Sequence, residues 1–229
     1  MRRESRAGAL KTAKVTAAAL AVATAGIGAL HMPFARPLVM KLGGCPMAGV
    51  KMDVETSEKA RAIAAAAEHG AAPAPARPAL GFALDATTLA DARAWAQRSN
   101  LDCDEPRPGL LACTDVPAAA LGEAGAERVK DLELQFSQEG RLVNMTTWRD
   151  HMSPERASTT ARAIVASLGA ALGPGDANGA FDAAHLAAPP AHSMSSVSYR
   201  FRDYVAEVTA MNAPSGGPSV REHYMSARD

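Results

Sequence analysis

The chain has 229 residues, 24 basic and 24 acidic side chains, 48% hydrophobic content and only 4% aromatics. That length suits one domain with extensions or two small domains. The neutrality is a cancellation: residues 1–41 carry seven basic groups against Glu4, a net of +6, while residues 80–229 carry thirteen bases against nineteen acids, a net of −6. An acidic body repels phosphates, which excludes a nucleic-acid partner. Nine of the ten aromatics lie between Phe82 and Tyr224, and large rings dominate the energetics of a packed core, so the folded body is expected from about residue 80.

From Val15 to Ala35 no Lys, Arg, Asp or Glu occurs, and five bases precede that stretch. A basic flank before an apolar run reads as a signal peptide or a membrane anchor. The length is enough to span a bilayer, although Ala, Gly and Thr make it only weakly hydrophobic. Ile27-Gly28-Ala29 offers small residues for cleavage, whereas Arg36 to Lys41 continues as a stop-transfer flank would. Leu42-Gly43-Gly44-Cys45 resembles a lipobox, making Cys45 a candidate for lipidation, with Arg36 and Lys41 interrupting the apolar run before it. Residues 1–41 are therefore expected to be a signal peptide or anchor that takes the chain to the cell envelope, with the membrane as a partner through the amino terminus.

Residues 42–79 read as a spacer. Thr56-Ser57-Glu58, the alanine run 64–67 and Gly70 predict a helix of about three turns, exposed or weakly docked because Ile63 is its main large apolar group. Ala71 to Pro78 holds three prolines and predicts an extended, stiff connector.

Residues 80–229 read as a single α+β domain. Thr88 and Asp91 form a capping box, and Leu89, Ala92, Trp95 and Ala96 share one helical face. Leu101 to Cys113, turning through Glu105-Pro106-Arg107-Pro108-Gly109, predicts a hairpin with a cysteine on each strand. Cys103 and Cys113 are then cross-strand neighbours and candidates for a disulfide in an oxidising compartment. Leu132, Leu134 and Phe136 alternate with Glu133 and Gln135, Ser137 to Gly140 turns, and Leu142 to Trp148 returns as a second hairpin. Ser153-Pro154-Glu155 starts a helix with its apolar stripe on Ile164, Val165, Leu168 and Leu172, and Gly173-Pro174-Gly175 ends it. A loop is expected to Ser195, then one long strand over Val197 to Val208, a turn at Asn212 to Pro218, and a strand over Val220 to Met225. The expected fold is a mainly antiparallel sheet of hairpins with helices packed on one face, preceded by an amino-terminal hydrophobic helix.

The order helix, cysteine, short loop, cysteine, strands, then helix and strands again, with Thr88, Asp91, Cys103 and Cys113 as its carriers, resembles small envelope α+β proteins of the outer-membrane-assembly lipoprotein and β-lactamase-inhibitor type. Asp85-Ala86-Thr87 stands where such families place a glycine and a hydrophobic-threonine signature. The resemblance is one of layout and implies no functional residue.

No local signature of catalysis stands out. The histidines 31, 69, 151, 185, 192 and 223 contain no i, i+4 pair and no Cys-x-x-Cys accompanies them, so neither a metal nor another cofactor is expected. Asp176 to Asp182 has oxygen ligands but lacks the closing glutamate of a calcium loop and reads as a turn. Tyr199, Arg200, Phe201 and Arg202 alternate, sending rings to the core and arginines to the other face. The expected function is a noncatalytic binding module of the envelope, exported or membrane-anchored, with an envelope protein as partner. Two alternatives remain open: an exported hydrolase built on Asp150, His151 and His192, and a domain binding a small apolar ligand between sheet and helices.

Overall fold

A computed structural model describes residues 54–123, 128–188, 193–213 and 216–228. The signal or anchor segment, Cys45 and His192 lie outside the described residues. Those described belong to one unit, Met52–Asp229. Its elements are α1 (Val54–Glu68), α2 (Leu89–Arg98), β1 (Asp102–Arg107), β2 (Leu110–Pro117), a 3-10 turn (Ala118–Leu121), β3 (Arg128–Phe136) and β4 (Leu142–Arg149). There follow α3 (Pro154–Leu172), β5 (Asp176–Asn178), α4 (Ala183–Ala187), β6 (Met194–Arg200), β7 (Tyr204–Ala213) and β8 (Gly217–Ser226). The protein is α+β, and its eight strands form one antiparallel sheet in the order β1-β2-β3-β4-β8-β7-β6-β5.

Local chemistry accounts for the ends of the helices. Asp91 donates its backbone N–H to the Thr88 hydroxyl and its carboxylate accepts from the Thr88 N–H, so the capping box forms. Ser153 caps α3 by accepting from the Arg156 N–H, with Pro154 in the first turn. Ala157, Ala161, Ile164, Leu168 and Leu172 recur every three or four residues and are all buried, which presents one continuous stripe to the sheet. They join Leu132, Leu134, Phe136, Met145, Val208 and Tyr224 in a single core. Trp95 of α2 enters the same core edge-on to Phe82, with ring centroids 4.9 Å apart, and donates its indole N–H to the Ala120 carbonyl.

Three expectations change. The long strand over Val197 to Val208 is two strands: the Phe201 N–H donates to the Tyr204 carbonyl, and residues 201–203 reverse the chain. Asp203 is the one turn former there, set in the run Tyr199-Arg200-Phe201-Arg202-Asp203-Tyr204-Val205 whose rings continue the strand pattern, so the reversal leaves little trace in composition. The loop expected to reach Ser195 contains β5, paired to β6, and α4, capped by Asp182. Each is too short to show a period.

The third change concerns residues 54–79, read as a spacer. They lie in the same unit as the sheet and dock on it. Ala65 of α1 packs with Val205, Met225 and Ala227, while Arg61 donates to the Ser226 carbonyl at 2.7 Å. Val205 and Met225 point away from the main core, so α1 sits on the opposite face of the sheet from α2 and α3. The connector follows residues 200–204: the Arg202 N–H donates to the Ala72 carbonyl, the Ala74 N–H to Asp203, and the Tyr204 hydroxyl to the Pro78 carbonyl. A Cβ on Gly70 would stand 2.2 Å from the Arg200 carbonyl oxygen, so only glycine allows this approach. Such backbone and polar contacts compensate for the shortage of large apolar groups, which was the basis for reading its helix as exposed or weakly docked.

Candidate functional site

The residues first considered for hydrolysis do not converge beyond an adjacent pair. Asp150 and His151 have Oδ2 and Nε2 3.6 Å apart, at the bend before α3, where His151 takes a left-handed φ of 53°. His151 is 72% exposed, and Ser153 beside it already uses its hydroxyl as the α3 cap. A nucleophile and base held in a desolvated site are therefore not assembled here from described residues. Among the described residues no group of three His, Cys, Asp or Glu is placed to hold a metal ion. Asp176 and Asp182 belong instead to β5 and to the α4 cap. Cys103 and Cys113 face each other across β1 and β2, with sulfurs 2.04 Å apart, at disulfide distance.

Two features that sequence reading passed over come from the strand register. The first is a charged cluster on the core side. Glu222 is fully buried and accepts hydrogen bonds from Thr147 at 3.0 Å, from Arg149, and from the Tyr224 hydroxyl at 2.5 Å. Arg149, itself 3% exposed, also reaches Glu123 at 2.5 Å. Burial and the adjacent carboxylate raise the Tyr224 pKa well above its ordinary value, so the hydroxyl stays protonated as the donor. For Arg149, burial disfavours the charge, but Glu222 and Glu123 more than offset it and its pKa is raised. Glu222 and Tyr224 line a cleft of about 640 Å3, with Leu80, Leu121, Ile164 and Leu168 among its apolar walls. The available sign was a glutamate at a core-facing parity between Val220 and Tyr224.

The second feature is the other face of the sheet. Two complete rows of residues cross all eight strands there. One runs Asp104, Ala112, Glu133, Thr146, His223, Glu207, Ser198, Asp176. Its neighbour runs Asp102, Thr114, Asp131, Trp148, Arg221, Thr209, Ser196, Asn178. Seven strand spacings make this face roughly 34 Å wide. At its centre the Arg221 guanidinium lies 5.7 Å from the Trp148 ring centroid and donates to Glu207 at 2.5 Å. Each contact restrains Arg221, so ring and fork form a fixed platform. His223, opposite both Thr146 and Glu207, has its pKa pushed down to about 4, first by burial and then by the Arg221 charge. It is neutral at pH 7.

The face also holds unfinished hydrogen bonding. Thr209 is 2% exposed, yet its hydroxyl has no partner, and Asn144 Oδ1 and Arg221 Nε on the same face are buried without one. Buried polar atoms in folded proteins are normally paired. No protein-family model matches this chain, and neither a curated protein nor a solved structure matches it.

Proposed function

We propose that this protein is an exported, noncatalytic binding module that holds a protein partner on the polar face of its sheet. The observation that carries this reading is the pair of eight-residue rows, centred on the Trp148–Arg221–Glu207 platform. Aromatic and arginine side chains anchor protein interfaces, and the part of this face beside α1 presents both in Trp148 and Arg221. The amino-terminal segment supports export, and the Cys103–Cys113 pair at disulfide distance suits an oxidising compartment. The layout shared with small envelope proteins points the same way. On this reading residues 1–41 tether the chain to the membrane or are removed during export, and lipidation of Cys45 belongs to the second case, with the lipid then replacing the segment as the tether. The test is a photo-crosslinking residue placed at Thr146 in the full chain in intact cells, compared with one at exposed Glu155 on α3. A protein adduct specific to Thr146 and lost in Trp148→Ala is expected. No adduct, or equal adducts at both positions, overturns the reading.

The cleft beside Glu222 favours a second reading, binding of a small apolar ligand between sheet and helices. Its volume of about 640 Å3 falls in the usual range for small-molecule sites. Leu121→Trp, which fills the cleft, should abolish uptake of an environment-sensitive apolar dye; unchanged uptake removes this reading.

A further inference from the structure

Arg149 is 3% exposed, and its guanidinium is only partly used. Nη1 donates to Glu222 and Nη2 to Glu123, whereas Nε is buried without a partner. Nε and Nη2 share one edge of the guanidinium, an edge that a carboxylate can take with both oxygens. Arg93 shows the completed arrangement, with its Nε 2.5 Å and its Nη2 2.7 Å from the two oxygens of Glu105. In the far more buried Arg149 the same edge holds one oxygen of Glu123 and leaves a donor unpaired, against the usual pairing of buried polar atoms.

That edge lies beside two cavities, because Glu123, which occupies it, lines both. One is the cleft of about 640 Å3; the other, of about 250 Å3, is lined by Arg149 as well. On α3, Thr159 and Thr160 belong to the smaller cavity and Ser167 and Leu168 to the cleft, so the two follow one another along the helix with Glu123 at their junction. The partners of Arg149 are held with different firmness. Glu222 is fully buried within β8 and accepts from Thr147 and Tyr224 too, while Glu123 is 22% exposed and lies outside any strand or helix. Glu123 is the exchangeable partner.

We infer that the cleft takes an alkyl monocarboxylate, a fatty acid, whose carboxylate displaces Glu123 and engages Nε and Nη2 of Arg149 while its chain lies against Leu80, Leu121, Ile164 and Leu168. This rests on the second reading, that the cleft takes a small apolar ligand, and adds the headgroup. The exchange puts one carboxylate in place of another, so Arg149 keeps two counter-charges, and it pairs the donor that Glu123 leaves unpaired. An alcohol brings a single oxygen to that edge, and an ammonium brings only donors to a donor.

The test uses the purified full chain in bilayer discs of zwitterionic lipid and follows by NMR dodecanoate isotopically labelled at its carboxyl carbon. A bound resonance is expected that keeps its ionised position as pH falls through the usual carboxylate range, because the guanidinium favours the charged form. Dodecanol and dodecylamine should displace it at least about tenfold less effectively than unlabelled dodecanoate, and acetate, which lacks the chain, not at all. Glu123→Ala is expected to tighten binding at least about tenfold, since the arginine edge is then always open, and Leu121→Trp to abolish it. Arg149→Met with Glu222→Leu, which removes both buried charges together, should lose dodecanoate while an apolar dye still enters the cleft. The competition and Glu123→Ala measurements do not depend on that variant folding. Absence of a bound resonance, its protonation in the usual range, equal displacement by dodecanol or dodecylamine, or unchanged or weaker binding in Glu123→Ala overturns the inference. The two proposals fail separately. Dye uptake that Leu121→Trp abolishes, without dodecanoate binding, sinks the headgroup and leaves the cleft standing, whereas dye uptake indifferent to Leu121→Trp removes the cleft itself.

Discussion

In the first half of the sheet a ten-residue helix, α2, precedes the meander β1 to β4; in the second a nineteen-residue helix, α3, precedes β5 to β8. The strand order mirrors about the β4–β8 pair, so each half is a helix followed by four strands whose last strand lies at the centre. The means of support differ. α2 buries only Ala92 and Ala96 fully and relies on Trp95 at its margin, and its outer hairpin is linked through Cys103 and Cys113. α3 buries six residues, and the strand at its outer edge shrinks to three exposed residues. The comparison teaches that an edge can be secured by a covalent link under a small helix or made nearly dispensable under a large one.

The strongest way to break the comparison is at the joint. Arg149 ends the first half and Glu222 lies in the last strand of the second, and their buried pair crosses the pseudo-symmetric seam. Arg149→Ala should cost about 3–5 kcal/mol in urea unfolding, because Glu222 is left charged and buried. Arg149→Met with Glu222→Leu should recover at least half of that loss, since no charge in the seam is then stranded between strands. If the single variant costs under about 1 kcal/mol, the halves do not depend on the seam.

Within the halves, Leu168→Ala should destabilise the second by about 2–5 kcal/mol through the cavity it leaves beneath α3. Joint replacement of Cys103 and Cys113 by Ser should cost roughly 2.7 kcal/mol, the loop-closure entropy of a link about ten residues long. Hydrogen exchange separates the two effects. The cysteine variant should lose protection first in β1 and β2, and the Leu168 variant in α3 and β6. Loss spread evenly in both cases would show that the sheet has no division of labour.

Much of this architecture was legible because it is local. Thr88 with Asp91, Ser153 with Pro154, and the alternation Leu132, Leu134, Phe136 each state an element within a few residues, and all of them form. Cys103 and Cys113 could be paired because a hairpin fixes the register between them. The candidate site was much less legible. Trp148, Arg221 and Glu207 are 73 residues apart at most and meet only when β4, β8 and β7 are neighbours, a strand order that no single segment encodes. The turn at 201–203 was hidden by aromatic and charged residues that continue the β pattern through it. The docking of α1 was hidden for the opposite reason, since its attachment uses backbone carbonyls and a glycine and leaves Ile63 68% exposed.

A pH titration sharpens the contrast on the polar face, where His223 belongs to the second half and Thr146 stands opposite it in the first. The His223 pKa is pushed down to about 4 in the folded state from 6.5, so between those values the unfolded chain binds a proton that the folded chain refuses. Stability should therefore be full above pH 6.5, fall as pH drops toward 4, and show no further loss from this group below that. Its half-burial beside Glu207 and Arg221 reduces the effect to on the order of 2 kcal/mol. His223→Gln should flatten the slope of urea midpoints between pH 7 and 4, and an unchanged slope would assign it to carboxylates instead.

The smallest effect tests whether helix length is what separates the halves. Thr88→Ala removes the hydroxyl that the Asp91 N–H needs, and Ser153→Ala does the same for Arg156; each should cost about 1 kcal/mol. The two hydrogen bonds are alike, but α2 has ten residues over which to recover and α3 nineteen. Hydrogen bonds from Thr88 hold the Asp91 carboxyl below its ordinary pKa, so this cap's contribution is present above the usual carboxylate range and is lost as pH falls through the lowered value. Thr88→Ala should therefore increase exchange along the whole of α2, whereas Ser153→Ala should affect only the first turn of α3, whose apolar stripe holds the remainder. If both variants fray only their first turns, α2 is anchored as firmly as α3, and the cysteine link rather than the helix must account for the difference between the halves.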